Sequence, residues 1–163
     1  MYREAFERIV SAIPASCQAV YADRLKALAL YGSVARGSMR PDSDIDLLIV
    51  AEPLPPNRRS RFEEFAAVER GLSHWLDEAR AQGIHTYLSP VFKTPEELRQ
   101  GSFLFLDMTD QARILYDPQG LLRGYLDELT RRLAAMGARR VYKGGSYYWE
   151  LKPDYKWGDR IEL

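Results

Sequence analysis

A single cysteine, Cys17, is all the thiol chemistry in these 163 residues. That scarcity excludes an intramolecular disulfide and any metal cluster with cysteine spacing, and it suits a reducing compartment. Long hydrophobic runs are missing too. Nothing approaches the run of about 18 apolar residues that a membrane helix needs, and Arg3, Glu4, Glu7 and Arg8 interrupt the N-terminal stretch where a leader would lie. The expectation is a cytoplasmic protein that does not enter a membrane. Neither sign of charge dominates: 23 basic residues stand against 23 acidic ones, so no global field draws in a polyanion. Nucleic acid is therefore not expected as a partner, and small substrates or proteins are favoured. There is no internal repeat and no low-complexity segment. The length supports one hydrophobic core rather than two.

What the chain does have is concentrated between Leu28 and Val50. Leu28 to Tyr31 is a short apolar run suited to a strand, and Gly32-Ser33 ends it with a turn whose backbone can approach a ligand closely. If Val34 to Arg36 opens a short helix, the free backbone N–H groups of its first turn face an anion, and Ser33 adds a hydroxyl donor. Pro41-Asp42-Ser43 breaks the pattern before Ile45 to Val50, a second apolar strand. Strand side chains alternate, so Asp44 and Asp46 share one face with Leu48 and Val50, while Ile45, Leu47 and Ile49 take the other. Like charges that close repel, and the pair calls for a cation between them. Mg²⁺ held by one or two carboxylates keeps positions open for substrate phosphates. The two halves together read as a nucleoside triphosphate and metal site.

Elsewhere, periodicity places a helix over Tyr2 to Ile13, with Pro14 opening a further helical stretch to about Asp23. Glu52 to Asn57 is a proline-rich loop. Arg58 to Gln82 reads as one long helix with Phe62, Phe65, Leu72, Leu76 and Ala79 on one side, ended by Gly83. A third strand is expected over Ile84 to Phe92, a helix from Pro95 to Arg99, a fourth strand over Ala112 to Tyr116, and a last amphipathic helix ending at Gly137. Six aromatic rings then fall between Tyr142 and Trp157: they either fold back on their own domain or dock a partner. Cys17 reads as a small buried hydrophobe and His74 as a surface or locally packed residue. Arg58, Arg59 and Arg61 read as a solvated helix-start cluster.

Gly32-Ser33, Arg36-Gly37 and Asp44-Ile45-Asp46 together resemble the signature of the DNA polymerase β-type nucleotidyltransferase superfamily, and most closely its small minimal nucleotidyltransferases, often encoded beside a helical HEPN-domain partner as toxin and antitoxin. The resemblance implies an α/β (α+β) fold, a small mixed sheet with helices packed on it. It makes residues 1–137 the nucleotidyltransferase domain and 138–163 an aromatic C-terminal extension, part of the same domain or a docking tail. It assigns Asp44 and Asp46 to metal and catalysis, and Gly32, Ser33, Arg36 and Ser43 to the nucleotide phosphates, with Mg²⁺ as cofactor and ATP, or another nucleoside triphosphate, as substrate. In that superfamily a third carboxylate from a later strand completes the site. The candidate strand here, Ile84 to Phe92, contains no Asp or Glu, and Glu96 and Glu97 after Pro95 suit a helix start better. His85 is the one residue on that segment able to accept a proton near neutrality.

The expected activity is Mg²⁺-dependent transfer of a nucleotide, AMP from ATP, to a HEPN-type protein partner. Two alternatives stand beside it: a nucleotidyltransferase-fold protein that neutralises its partner by binding alone, and a small-molecule, antibiotic-modifying nucleotidyltransferase, for which the chain is short. A homo-oligomer stays open.

Overall fold

In the computed structural model, which describes residues 1–161, the chain forms one four-stranded mixed sheet with helices on both faces and a C-terminal hairpin. In chain order these are α1 (Tyr2–Tyr21), β1 (Leu25–Tyr31), α2 (Gly32–Arg36), β2 (Ile45–Ala51), α3 (Arg58–Gly71), α4 (Ser73–Ala81), β3 (Leu88–Lys93), α5 (Pro95–Gln100), α6 (Leu104–Gln111), β4 (Arg113–Tyr116), α7 (Leu121–Met136), β5 (Arg139–Lys143) and β6 (Ser146–Glu150). The strand order is β3-β2-β1-β4. β1 runs antiparallel to β2 and β4, while β2 and β3 are parallel, joined by a crossover through α3 and α4.

The alternation along β2 divides the core. Ile45, Leu47, Ile49 and Ala51 pack into a cluster with α1, α3 and α4, among them Phe6, Ile9, Ile13 and Phe65. Leu48 and Val50 point the other way, into a cluster with Leu98, Phe105, Leu106, Leu122, Leu126 and Leu129 from α5, α6 and α7. The faces expected from the sequence are the faces found.

Several boundaries differ from expectation for local reasons. Pro14 does not divide the first helix: α1 runs unbroken through it. A proline inside a helix costs about 3 kcal/mol, but Ile9, Ile13, Cys17 and Tyr21 form one buried seam on either side of it, packed against α3 and α4. The long helix over Arg58 to Gln82 is two helices, broken at Leu72. There α1 comes so close that a Cβ on Gly71 would meet Ser16 Oγ at 2.5 Å, and Ser16 Oγ donates to Val68 O at 2.9 Å. Leu72 turns inward and is buried, whereas Phe62 is partly exposed. β3 begins at Leu88, not Ile84, because residues 85–87 bond the loop before β2: His85 N donates to Pro41 O at 3.0 Å and Ile45 N to Tyr87 O at 2.9 Å. α6 was not expected from the sequence at all. α7 ends at Gly137 as its periodicity suggests, and Asp117 caps its start by accepting from Leu122 N and Arg123 N at 3.2 and 2.8 Å.

After α7 the chain makes a two-stranded ribbon turned by Gly144-Gly145, both at positive φ (58° and 63°), the backbone that a tight hairpin turn requires. The pairs Arg140–Trp149 and Tyr142–Tyr147 share one ribbon face. Trp149 and Leu151 pack against the cluster under α6 and α7. Some of the aromatic rings thus fold back on the domain, while Tyr142, Tyr148, Tyr155 and Trp157 stay exposed, Trp157 almost fully at 99%.

Candidate functional site

The site forms where β1 hands over to α2, against the start of β2. Tyr31 pairs with Asp46 across the antiparallel β1–β2 ladder, so the turn that follows Tyr31 is laid over the acid. Gly32 has φ +73°, and a Cβ built there would collide with Asp46 Oδ2. Only glycine gives this turn both its left-handed backbone and its contact with the carboxylate. Ser33 follows, half-buried, and its carbonyl accepts from Ser38 N at 3.0 Å, which closes the loop onto α2. Arg36 is exposed in the last turn of α2, and among the described residues it forms no ion pair closer than 4 Å with an acid.

On the parallel side, Asp46 is in register with Ser89, whose hydroxyl is near enough to favour the charged carboxylate. Asp46 is therefore flanked by a phenol and a hydroxyl, with Asp44 beside it. Burial chiefly, and then the Asp44 charge, push its pKa up to about 6, against the pull of Arg36 and of the Ser89 hydroxyl. The same surroundings push the Tyr31 phenol to about 12, burial first and then the charges of Asp46 and Asp44. Asp46, crowded by burial and by the Asp44 charge, is a carboxylate short of compensating positive charge.

Among the described residues no cluster of three or more His, Cys, Asp or Glu side chains could hold a metal. Asp44 and Asp46 alone do fit a hard cation whose remaining positions go to water and phosphate oxygens. Ser89 answers the question of the third carboxylate: the side chain that faces Asp46 from the neighbouring strand is a hydroxyl. Glu97 is no substitute, since it completes a capping box with Thr94 and takes a bidentate bond from Arg61 at 2.9 Å on each arm. His85 lies on an exposed loop before β3, not on the strand.

Of the sequence candidates, Gly32, Ser33, Arg36, Asp44 and Asp46 are gathered around one end of β2. Ser43 is placed differently, because its Oγ accepts from Arg40 N at 2.8 Å and its N–H donates to Arg40 O at 3.0 Å, so it shapes the turn before Asp44. The basic cluster is also accounted for locally: Arg61 holds Glu97 and Pro55 O, Arg59 pairs with Glu63, and Arg58 stacks over Phe62. Cys17 is wholly buried, its thiol pushed up to about 12, and His74 packs edge-on to Trp75 on the surface. Tyr31 and Ser89 were missed. The register of two strands on Asp46 is what reveals them, and that register is not visible in any one strand's sequence. A concavity of about 370 Å³ between α5 and α7, with Leu98, Arg99, Leu121 and Tyr125 in its wall, includes none of these residues.

A glycine-serine turn closed over strand carboxylates on a mixed sheet is the arrangement of the nucleotidyltransferase fold. Residues 16–95 match the model of the nucleotidyltransferase domain family. It is similar to a protein of Methanocaldococcus jannaschii to which a protein adenylyltransferase activity is ascribed, 29% identical over 115 residues, or 69% of this chain and 73% of that one. Among solved structures it is similar to a toxin-antitoxin with AMP-PNP (17% identity, TM-score 0.46, covering 78% of this chain and 92% of that one). It is likewise similar to the toxin-antitoxin MntA-HepT (17%, TM-score 0.46, 80% and 92%). No helix among the described residues is long and apolar enough to cross a membrane.

Proposed function

We propose that this protein binds a nucleoside triphosphate, ATP in the first instance, with Mg²⁺ at Asp44 and Asp46, and transfers its nucleotidyl group to a hydroxyl of a protein partner, a HEPN-type toxin. The observation that carries the nucleotide site is the collision course between a Cβ at Gly32 and Asp46: the turn suited to phosphate and the acids suited to metal occupy one place. The match of residues 16–95 to the nucleotidyltransferase domain family supports the transfer chemistry, and the relative to which protein adenylylation is ascribed supports a protein acceptor.

In this reading the backbone at Gly32 lets the triphosphate lie against the turn, the Ser33 hydroxyl donates to it, and Arg36 supplies positive charge at the mouth. Asp44 and Asp46 fix the cation, and Ser89 orients Asp46. When bound, Mg²⁺ would hold the phosphates in place and offset charge that develops as pyrophosphate departs. The chain's residues thus contribute positioning and electrostatics, the usual strategy for this chemistry.

A second reading has a specific observation behind it. With Ser89 in place of a third acid, the site holds little negative charge, and a protein that binds and neutralises its partner without modifying it would need no more. Intact-mass spectrometry of the complex that copurifies from the native cell, before and after Mg²⁺ and ATP, separates the two. Gain of nucleotidyl units on the partner, lost in an Asp44→Asn/Asp46→Asn variant, is the expected result. A stoichiometric partner that never gains mass would establish the binding-only protein.

A further inference from the structure

The C-terminal hairpin carries a hydroxyl nucleophile already paired with a base. Tyr147 Oη donates to Asp107 Oδ1 at 2.7 Å, and Trp149 Nε1 donates to the same oxygen at 3.0 Å. A nucleophile within hydrogen-bond reach of a base, the base held in turn by a third group, is the arrangement that activates a hydroxyl. Among the described residues Tyr147 is the only tyrosine whose hydroxyl bonds a carboxylate; those of Tyr21 and Tyr125 are buried without any partner.

We propose that Tyr147 is a nucleotide acceptor within its own chain, its hydroxyl attacking the α-phosphorus of the nucleoside triphosphate held at the Gly32-Ser33 turn while Asp107 takes the proton. The inference rests on the nucleotide site described above. In the step, the Tyr147 Oη–phosphorus bond forms and the bond from the α-phosphorus to the bridging oxygen breaks. Pyrophosphate leaves with the electron pair, the phenolic proton passes to Asp107 Oδ1, and the product is a tyrosyl phosphodiester.

Placement supports this. Asp107 lies on α6, which packs against α2, the helix that the Gly32-Ser33 turn opens. Tyr31, the register partner of Asp46, and Trp149 pack against the same apolar cluster, so hairpin and acids share one face of the sheet. Tyr147 is close enough to Arg36 for the guanidinium to draw its pKa down, although burial first and the Asp107 carboxylate next raise it overall. The nucleophile is thus a neutral phenol that needs its base.

A purely architectural bond between Tyr147 and Asp107 would be redundant. The hairpin is already fastened to α6 by Trp149 on Asp107 and by Arg140, which gives two bonds to Asp110 at 2.8 and 2.6 Å and lies 5.3 and 4.9 Å from the Tyr147 and Trp149 ring centroids.

The test uses the chain alone, incubated with Mg²⁺ and ATP labelled at either the α- or the γ-phosphate. It is read by intact mass and peptide mapping, with equilibrium dialysis for bound ATP on the same samples and circular dichroism for folding. Expected is a gain of one nucleotidyl unit, carrying α label only, on the Tyr147 peptide, at a rate independent of protein concentration. Tyr147→Phe abolishes it, and Asp107→Asn slows it by about 100-fold, as loss of a general base does. Bound ATP with no mass gain, label on another residue, or a rate that rises with protein concentration overturns the acceptor and leaves the nucleotide site standing. Failure to bind ATP or any other nucleoside triphosphate removes that site and this inference with it.

Discussion

The two faces of β2 put the same strand to opposite uses. On one face Ile45, Leu47, Ile49 and Ala51 are sealed under α1, α3 and α4. On the other, Leu48 and Val50 are equally buried, but the row continues outward through Asp46 to Asp44, where the helices give way. The sealed face gains from every group it removes from water. The open face keeps repelling carboxylates together beside a glycine that admits no side chain. Under the proposed function the first face serves stability alone while the end of the second also serves chemistry, and a substitution should reveal which it strikes.

The largest expected effects sharpen that contrast. Leu47→Ala, on the sealed face, should cost about 2–5 kcal/mol of stability, measured by denaturant unfolding, with loss of function only through unfolding. Asp44→Asn/Asp46→Asn should leave the protein folded and lower metal-dependent nucleotide affinity by at least about 100-fold, since binding then lacks its cation, as read by calorimetric titration. Gly32→Ala strikes both properties at once. A left-handed backbone on a non-glycine residue costs about 1–3 kcal/mol, and the added methyl displaces Asp46, so thermal unfolding and nucleotide binding should fall together.

Three smaller effects concern the acid pair and its register partner Ser89. Asp46 has a folded pKa near 6, above its ordinary 3.8, so the folded state holds this proton more tightly than the unfolded chain does. Its charge therefore destabilises the fold above about pH 6, and that penalty is relieved as the pH falls toward the unfolded value. Asp46→Asn should accordingly raise the melting temperature at pH 7 by roughly 2–4 °C, for about 1 kcal/mol after solvent screening. In the unmodified protein, metal-dependent nucleotide binding should weaken as the pH drops below about 6, because protons compete for Asp46. Ser89→Asp should tighten Mn²⁺ binding by adding a carboxylate in register with Asp46; unchanged affinity would mean that the position does not face the cation.

Much of this was legible in the sequence, where local rules suffice. The alternation of β2 showed which residues accompany the acids, and Leu122, Tyr125, Leu126, Leu129, Leu133 and Met136 at helical spacing marked α7. What escaped depends on pairings between distant segments. The break at Leu72 goes with the approach of Ser16 to Gly71, and the placement of Ser89 follows from a parallel register. α6 has too short an apolar pattern to separate from a loop, and its partner Tyr147 lies forty residues further on. The tail's aromatic content was plain, but not that Tyr147 and Trp149 would turn inward to one carboxylate while Tyr142 and Tyr148 remain outside.

The central claim is that Asp44 and Asp46 bind a divalent cation together with a nucleoside triphosphate lying on the Gly32-Ser33 turn. Isothermal titration with ATP, with and without Mg²⁺, on the unmodified protein and the Asp44→Asn/Asp46→Asn variant tests it most directly. The account predicts binding that requires Mg²⁺ and both acids; binding that persists without either, or no nucleotide binding at all, would contradict it.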